Sequence, residues 1–300
     1  MTLLRSGRAV HPISWYDLYR RFGETGLEDR RSGSARTWNR IPEAVRGQIL
    51  DMALERPALS PRELAVSFTD ERAYFVSEAS VYRLLKAHDL ITSPAFIVMK
   101  AADEFRDKTT APNQLWQTDF TYLKVIGWGW LYLSTILDDF SRYVVAWKLC
   151  TTMKAHDVTE TLAMALKASG LEEAAQRPRL LSDNGSSYIA GDLAEWLGER
   201  GIGHVRGAPN HPQTQGKIER WHQTLKNRIL LENYYLPGDL EAQIAAFIEI
   251  YNHRRYHESL NNLTPADVYF GRGHTILMER EKIKRKTIEH RRLLHARAAA

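Results

Sequence analysis

One cysteine, Cys150, is all the chain contains. An internal disulfide and a cysteine-rich zinc site are therefore excluded, and a reducing compartment is the natural setting. Uninterrupted apolar runs of about 18 residues, the length a membrane helix needs, are missing. The N-terminus, with Arg5, Arg8 and His11, lacks the continuous apolar stretch and cleavage site of a secretion signal. The expectation is a cytoplasmic protein with no membrane partner. Internal repeats and low-complexity tracts are also lacking. What is present is 300 residues, 44% hydrophobic and 26% charged, enough to bury a sizeable core in two or three domains.

Charge is unevenly placed. The net charge is +5, but residues 1–40 carry +4, residues 279–300 carry +5, and the stretch between them sums to −4. Basic ends around an acidic centre suit a chain that gathers a polyanion with its extremities and treats it chemically in the middle, although solvated tails give the same pattern.

Helical signals dominate the first third. Ser14 can cap a short helix over Trp15 to Phe22, and the basic segment Arg30 to Arg36 follows as a linker that can track phosphates. Pro42 can start a helix carrying Val45, Ile49, Met52 and Ala53 on one face, and Pro57 stops it. Ser60-Pro61-Arg62-Glu63 combines an N-cap, a proline at the first helical position and a capping-box glutamate. Ser77 caps a third helix that turns Val81, Leu84 and Leu85 inward and Ser80, Arg83 and Lys86 outward. Three such helices resemble a helix-turn-helix with 78–88 as the recognition helix, although the connector at 69–77 is longer than the usual turn. Residues 92–112, polar and bounded by prolines, join this region to the next.

From residue 113 the period changes to that of strands. Leu115–Leu123, Trp130–Leu137 and Tyr143–Leu149 are apolar, aromatic and β-branched, with turns at Gly127-Trp128-Gly129 and Asp138 to Arg142. Trp116, Trp130 and Trp147 lie in these strands and are expected in the core. Then follow a helix at Ala155–Ser169, strands at Arg179–Ser182 and Ile202–Arg206, and helices at Asp192–Arg200, about 215–231 and Asp239–His253. A three-stranded meander followed by alternating helices and strands is the order of a ribonuclease-H-like α/β domain: a mixed five-stranded sheet with flanking helices. The domain plan is thus a short helix and basic linker at 1–40, an all-α helix-turn-helix-like domain at 41–91, a linker at 92–112, the α/β domain at 113–272, and a basic tail at 273–300 whose Lys282–Arg297 segment is helical.

Three acids stand at the edges of separate elements. Asp119 lies in the first strand, Asp183 directly follows the strand at Arg179–Ser182, and Glu219 sits near the start of a long amphipathic helix. Sixty-four positions separate Asp119 from Asp183, and 35 residues lie between Asp183 and Glu219. Attack on a phosphodiester builds charge on the entering and the leaving oxygen, so carboxylates converging from several elements to hold divalent cations suit that chemistry. Alone, Asp183-Asn184-Gly185 is an ordinary turn; the weight lies in the set. Asp138 and Asp139 are read as shaping their turn. His253 and His257 have zinc-ligand spacing, but Arg254-Arg255 between them favours packing or phosphate contact.

With these residues in view, 113–270 resembles the retroviral-integrase-like catalytic core of bacterial insertion-sequence transposases, most closely the IS3-type group. The matching segments are Trp116 to Tyr122, Leu131-Tyr132-Leu133, Leu137 to Arg142, Ser182 to Gly185, His211 to Arg220 and Tyr251 to His257, in the family's order. The resemblance implies a DD(35)E triad of Asp119, Asp183 and Glu219, serving as catalytic and metal-binding residues for Mg2+, with Mn2+ able to substitute. It also implies a basic residue two helical turns after the glutamate, here Lys226, beside the metals. Strand cleavage and 3′-hydroxyl strand transfer are the implied reaction, with element terminal repeats and target DNA as partners, no small-molecule substrate, and a homodimer or larger assembly on DNA. Ser80, Arg83, Lys86, Lys217 and Lys226 are the expected DNA contacts, together with Asn210, His211 and Gln213 in a loop punctuated by Gly207, Pro209, Pro212 and Gly216. The rival expectations are a catalytically inactive DNA-binding regulator and a plain metal-dependent nuclease. Related elements also often join an upstream reading frame to this type of chain.

Overall fold

A computed structural model describes residues 15–26, 38–91, 109–206 and 216–299. The chain forms two compact units, one of residues 43–287 and one of 1–42 with 288–300. In the smaller unit, helix α1 (Trp15–Phe22) runs into a turn of 3-10 helix at Gly23–Gly26. There Arg291 donates to Asn39 Oδ1 at 2.9 Å, and the Arg292 guanidinium lies over the Trp38 ring.

The larger unit begins with α2 (Glu43–Glu55), α3 (Pro61–Arg72) and α4 (Glu78–Ala87). The capping box forms as its sequence demands: the Glu63 amide donates to Ser60 Oγ and the Ser60 amide to Glu63 Oε2. Ile49, Met52, Leu64, Phe68, Val81 and Leu85 bury their side chains between the three helices. Because α3 continues to Arg72 and ends at Ala73 in the left-handed region, φ 49°, the connector to α4 shrinks to 73–77.

The α/β part holds β1 (Leu115–Val125), β2 (Gly129–Asp138), β3 (Val144–Cys150), α5 (Ala155–Ser169), β4 (Arg179–Ser182), α6 (Ser186–Ile189), α7 (Gly191–Glu199), β5 (His204–Arg206), α8 (Gly216–Ile229), α9 (Pro237–His253), α10 (Pro265–Tyr269) and α11 (Gly273–Ala299). The five strands lie in the order β3-β2-β1-β4-β5. The first three pair antiparallel through short turns, whereas β4 and β5 join parallel. Gly127 and Gly129 adopt φ of 84° and 101°, which lets the β1–β2 turn close tightly. Both sheet faces are covered. Leu123, Val125, Leu133 and Leu137 pack against Ile218, Trp221 and Leu225 of α8 and Leu240 and Ile244 of α9. On the opposite face Trp116, Ile136 and Leu180 meet Val158 and Leu162 of α5 and Leu193 and Leu197 of α7.

Asn252 joins these layers. Its amide accepts from Val144 N–H at 2.9 Å and donates to Val144 C=O at 3.0 Å, so α9 hydrogen-bonds directly to β3. The helices α2 to α4 are tied to the sheet domain by side chains. Arg280 of α11 clasps Asp70 at 2.8 and 2.6 Å, Tyr256 OH donates to Asp70 Oδ2 at 3.1 Å, and Arg62 bonds Asn262.

Several expectations change. The basic tail at 273–300 is a 27-residue helix from Gly273, with Thr287 donating to its own Ile283 C=O and accepting from the Phe75 amide. The strand expected from Ile202 starts at His204, because Gly201 in the left-handed region ends α7 and Ile202 turns into the core. Trp116 is buried and Trp147 packs on the core, but Trp130 is exposed.

Candidate active site

Asp119 lies where β1 is paired to β2, opposite Thr135, while β4 meets β1 only over Leu115–Gln117. Side chains alternate along a strand, so Asp119 shares the face of Leu123 and Val125, the face covered by α8. Its Oδ1 accepts from the Phe120 amide at 2.8 Å, and its Oδ2 stands 3.4 Å from His222 Nδ1. His222 is 8% exposed and Asp119 24%. His222 Nε2 has no hydrogen-bond partner among the described residues.

Asp183 is the first residue after β4, the neighbour of β1. The Gly185 amide donates to Asp183 Oδ1 at 2.8 Å, so the turn itself orients the carboxylate. A Cβ on Gly185 would stand 3.0 Å from that oxygen, which explains a glycine at this position. Tyr188 of α6 is buried, with its ring centroid 6.1 Å from that of Phe120, the residue after Asp119. Its hydroxyl is held well above its ordinary pKa, first by complete burial and then by the negative charges of Asp119 and Asp183.

Glu219 is exposed on the first turn of α8. That turn is fastened to β1 by Gln117, whose Oε1 accepts from the Ile218 amide at 3.1 Å. Glu219 and His222 are one helical turn apart, so they share a side of α8, and His222 reaches Asp119. Among the described residues no three His, Cys, Asp or Glu side chains lie close enough together to hold a metal ion. The arrangement is thus a pair of strand-borne aspartates with a glutamate on an adjoining helix.

The surrounding residues sort into distinct tasks. Asp138 accepts from the amides of Asn113 and Ser141 and from Ser141 Oγ, and burial raises its pKa. Asp139 accepts from Gln117 Nε2 at 2.7 Å, from Thr109 and from Lys217. Asp138 shapes the β2–β3 turn, as the sequence indicates, whereas the Asp139 side chain ties that turn to β1 and α8. Lys217, expected to contact DNA, donates to Asp139 O and Oδ2 at 2.9 and 2.8 Å, and anchors the start of α8. Lys226 stands over the Tyr122 ring, 4.4 Å from its centroid. In α4, Arg83 and Lys86 are exposed, whereas Ser80 is half-buried with its hydroxyl against the Ser77 cap. Asn210, His211 and Gln213 lie outside the described residues. His253 and His257 have separate surroundings: His253 meets the Tyr143 ring edge-on, and His257 packs on Tyr251.

His222 and Gln117 were not singled out in the sequence. Helical spacing from Glu219 was the available signal for His222. Gln117 had none, since a polar residue in a buried strand reveals its partners only after the turn at Asp139 and the start of α8 are in place.

Comparison with known proteins follows the same division. Two family models, both described as integrase core domain, match residues 109–212 and 200–265, and a homeodomain-like domain model matches residues 14–85. The transposase for insertion sequence element IS904 of Lactococcus lactis is 29% identical over 164 residues, covering 53% of this chain and 62% of that protein. An uncharacterized 31 kDa protein of insertion element IS600 from Shigella sonnei is 33% identical over 164 residues, covering 52% of this chain and 57% of that one. The chain therefore spans less than two thirds of these relatives' length. Among solved structures, the HTLV-2 integrase catalytic core domain in complex with magnesium is 20% identical with a TM-score of 0.44, covering 54% of this chain and 99% of that one.

Proposed function

Since this chain belongs to the integrase-core family, among the IS3-type insertion-sequence transposases, we propose that it cuts a DNA strand at the end of an insertion element and joins the freed 3′-hydroxyl to target DNA. Asp119, Asp183 and Glu219 form the acidic set of this reading. The observation that supports it is that Asp119 lies on β1 and Asp183 directly follows the neighbouring β4, with the helix of Glu219 fastened to β1 through Gln117.

The donor chemistry fits magnesium, or manganese in its place. Both are hard cations, and magnesium takes one or two protein carboxylates and completes its shell with water and substrate phosphate. When bound, the cation would stabilise negative charge on the attacking and departing oxygens of the phosphodiester. Asp119 and Asp183 would hold it, each with one oxygen already fixed by a backbone amide. Glu219 would complete the set from α8. His222, buried against Asp119, limits how that carboxylate can rotate.

DNA recognition is assigned to the helical region. Arg83 and Lys86 lie on the exposed side of α4, the second helix of the helix-turn-helix arrangement, where they can reach phosphates or base edges. Lys226, Asn210, His211 and Gln213 would meet the strand being cut. Holding two element ends together calls for at least two protomers on the DNA. No described helix is long and apolar enough to cross a membrane, and the proposed place of action is the cytoplasm, at the nucleoid.

The test is incubation of the purified chain with a labelled element end and Mg2+ or Mn2+, beside the variants Asp183→Asn and Glu219→Gln. Cut and joined products are expected from the parent chain, with neither from the variants. Cleavage without joining would make it a nuclease, and binding without either product a regulator. Strand transfer at the parent rate in Asp183→Asn would remove the site assignment.

A further inference from the structure

Trp130, expected in the core, belongs instead to an exposed aromatic cluster. Lys124 of β1 and Trp130 of β2 are register partners, and Tyr122 lies diagonally across from Trp130 on the same sheet face. The two rings meet edge to face, with centroids 5.4 Å apart at 81°. Lys124 Nζ lies 6.0 Å from the Trp130 ring, and Lys226 Nζ, coming from α8, lies 4.4 Å from the Tyr122 ring. Tyr122 remains 56% exposed and Trp130 52%. The helices on this face cover Trp116, Ile136 and Leu180, which are at the other end of these strands.

The chemistry of the cluster narrows its ligand. Two ammonium groups beside the rings call for an anion, and two broad rings call for a flat partner. A nucleotide combines both: its base can stack on an aromatic face while its phosphate meets a lysine. An aliphatic partner would gain nothing from the lysines. A duplex keeps its bases stacked on one another, so the ligand must present an unpaired base.

Position also fits. Tyr122 is three residues along β1 from Asp119, about 10 Å at strand rise. The two side chains leave opposite faces of the sheet, but β4 pairs with β1 only over Leu115–Gln117, so no strand among the described residues walls off the edge between them. On α8, His222 reaches Asp119 and Lys226, one turn further on, reaches Tyr122. That helix therefore follows the open edge from the carboxylates to the rings.

We propose that Tyr122 and Trp130, flanked by Lys124 and Lys226, form a stacking site for an unpaired base of single-stranded DNA next to the acidic set. The inference rests on the reading of DNA as substrate given above, but its test needs no cleavage. The full chain carrying Asp183→Asn is titrated with a short single-stranded oligonucleotide containing 2-aminopurine, and with the same sequence as a blunt duplex. Binding should quench the probe in the single strand. The double change Tyr122→Ala and Trp130→Ala should remove the quench and weaken single-strand binding about tenfold, leaving duplex binding within about twofold. Both rings are exposed, so the variant should fold, and Tyr122→Phe should retain the quench. Lys124→Gln and Lys226→Gln should each flatten the salt dependence of binding.

Equal loss for single strand and duplex would overturn the proposal, as would unchanged single-strand binding. Conversion of an oligomer to a monomer by the double change, with DNA affinity intact, would make the cluster a contact between copies of the chain and also overturn it. If the parent chain cuts and joins no DNA yet the ring-dependent quench is present, the catalytic reading falls and the stacking site stands. If cutting and joining proceed without such a quench, the reverse holds.

Discussion

Replacing Gln117 by leucine keeps most of the side-chain volume and deletes two buried hydrogen bonds. Gln117 is 2% exposed, donates to Asp139 Oδ1 at 2.7 Å and accepts from Ile218 N–H at 3.1 Å. A bond to a carboxylate contributes ~1.5–3 kcal/mol net and a neutral bond ~0.5–1.5 kcal/mol. Asp139 keeps Lys217 and Thr109, so its charge is not left without partners. The expected loss is therefore ~2–3 kcal/mol out of a total stability of ~5–15 kcal/mol. Even from the low end of that range, only about 3% of the chain would be unfolded at equilibrium. The Ile218 amide belongs to the first turn of α8, where helical amides have no intrahelical acceptor, so the turn carrying Glu219 should fray. Urea unfolding followed by tryptophan fluorescence should show a lower midpoint with an unchanged slope. Metal-dependent cleavage should fall by far more than the unfolded fraction explains. A midpoint equivalent to within about 0.5 kcal/mol of the parent's would refute the idea that Gln117 holds α8 to β1.

Two further changes probe the site and its support. Gly185→Ala places a methyl group 3.0 Å from Asp183 Oδ1 and should lower metal-dependent cleavage several-fold while changing stability by less than about 1 kcal/mol; parallel thermal melts and cleavage assays check this, and parent-level cleavage would show that the carboxylate need not keep its place. His257 is pushed from an ordinary 6.5 down to about 3, first by burial and then by the charges of Arg142, Arg255, Arg62 and Arg220. It stays neutral in the folded chain while the unfolded chain takes up a proton, so its stabilisation is complete above the ordinary value and is lost as pH falls from 6.5 towards 3. The loss is up to about 1.4 kcal/mol per pH unit. His257→Phe should make urea midpoints measured from pH 7 down to pH 4.5 less steep, and parallel slopes would show that another group sets the acid sensitivity.

The sequence made those features legible that depend on local pattern. Ser60-Pro61-Arg62-Glu63 specifies its own cap, so α3 begins where the residues say. The alternating strands and the Gly127–Gly129 turn likewise give β1 and β2 with their register. Asp119 could be assigned to the first strand and Asp183 to the end of a second because local signals mark those strands. Trp130 was misplaced because strand character says nothing about whether a helix covers that end of the sheet. The bond from Lys217 to Asp139 was not legible for a related reason: the two residues are 78 positions apart. The extent of α11 was missed because its basic residues hide the few that pack, Thr287 and Arg291 among them.

The clasp between Asp70 and Arg280 bridges 210 positions of sequence. At about 5–20 residues per second of synthesis, α3 emerges roughly 10–40 s before the helix that holds it. Helices α2 to α4 make their contacts locally and can fold as soon as they appear, whereas their attachment to the sheet domain must wait for α11. Tyr256 and Asn262, which bond Asp70 and Arg62, are also made late. A growing chain therefore passes through a period in which its N-terminal helices are folded but untethered. Their attachment to the sheet domain is among the last features that synthesis can establish.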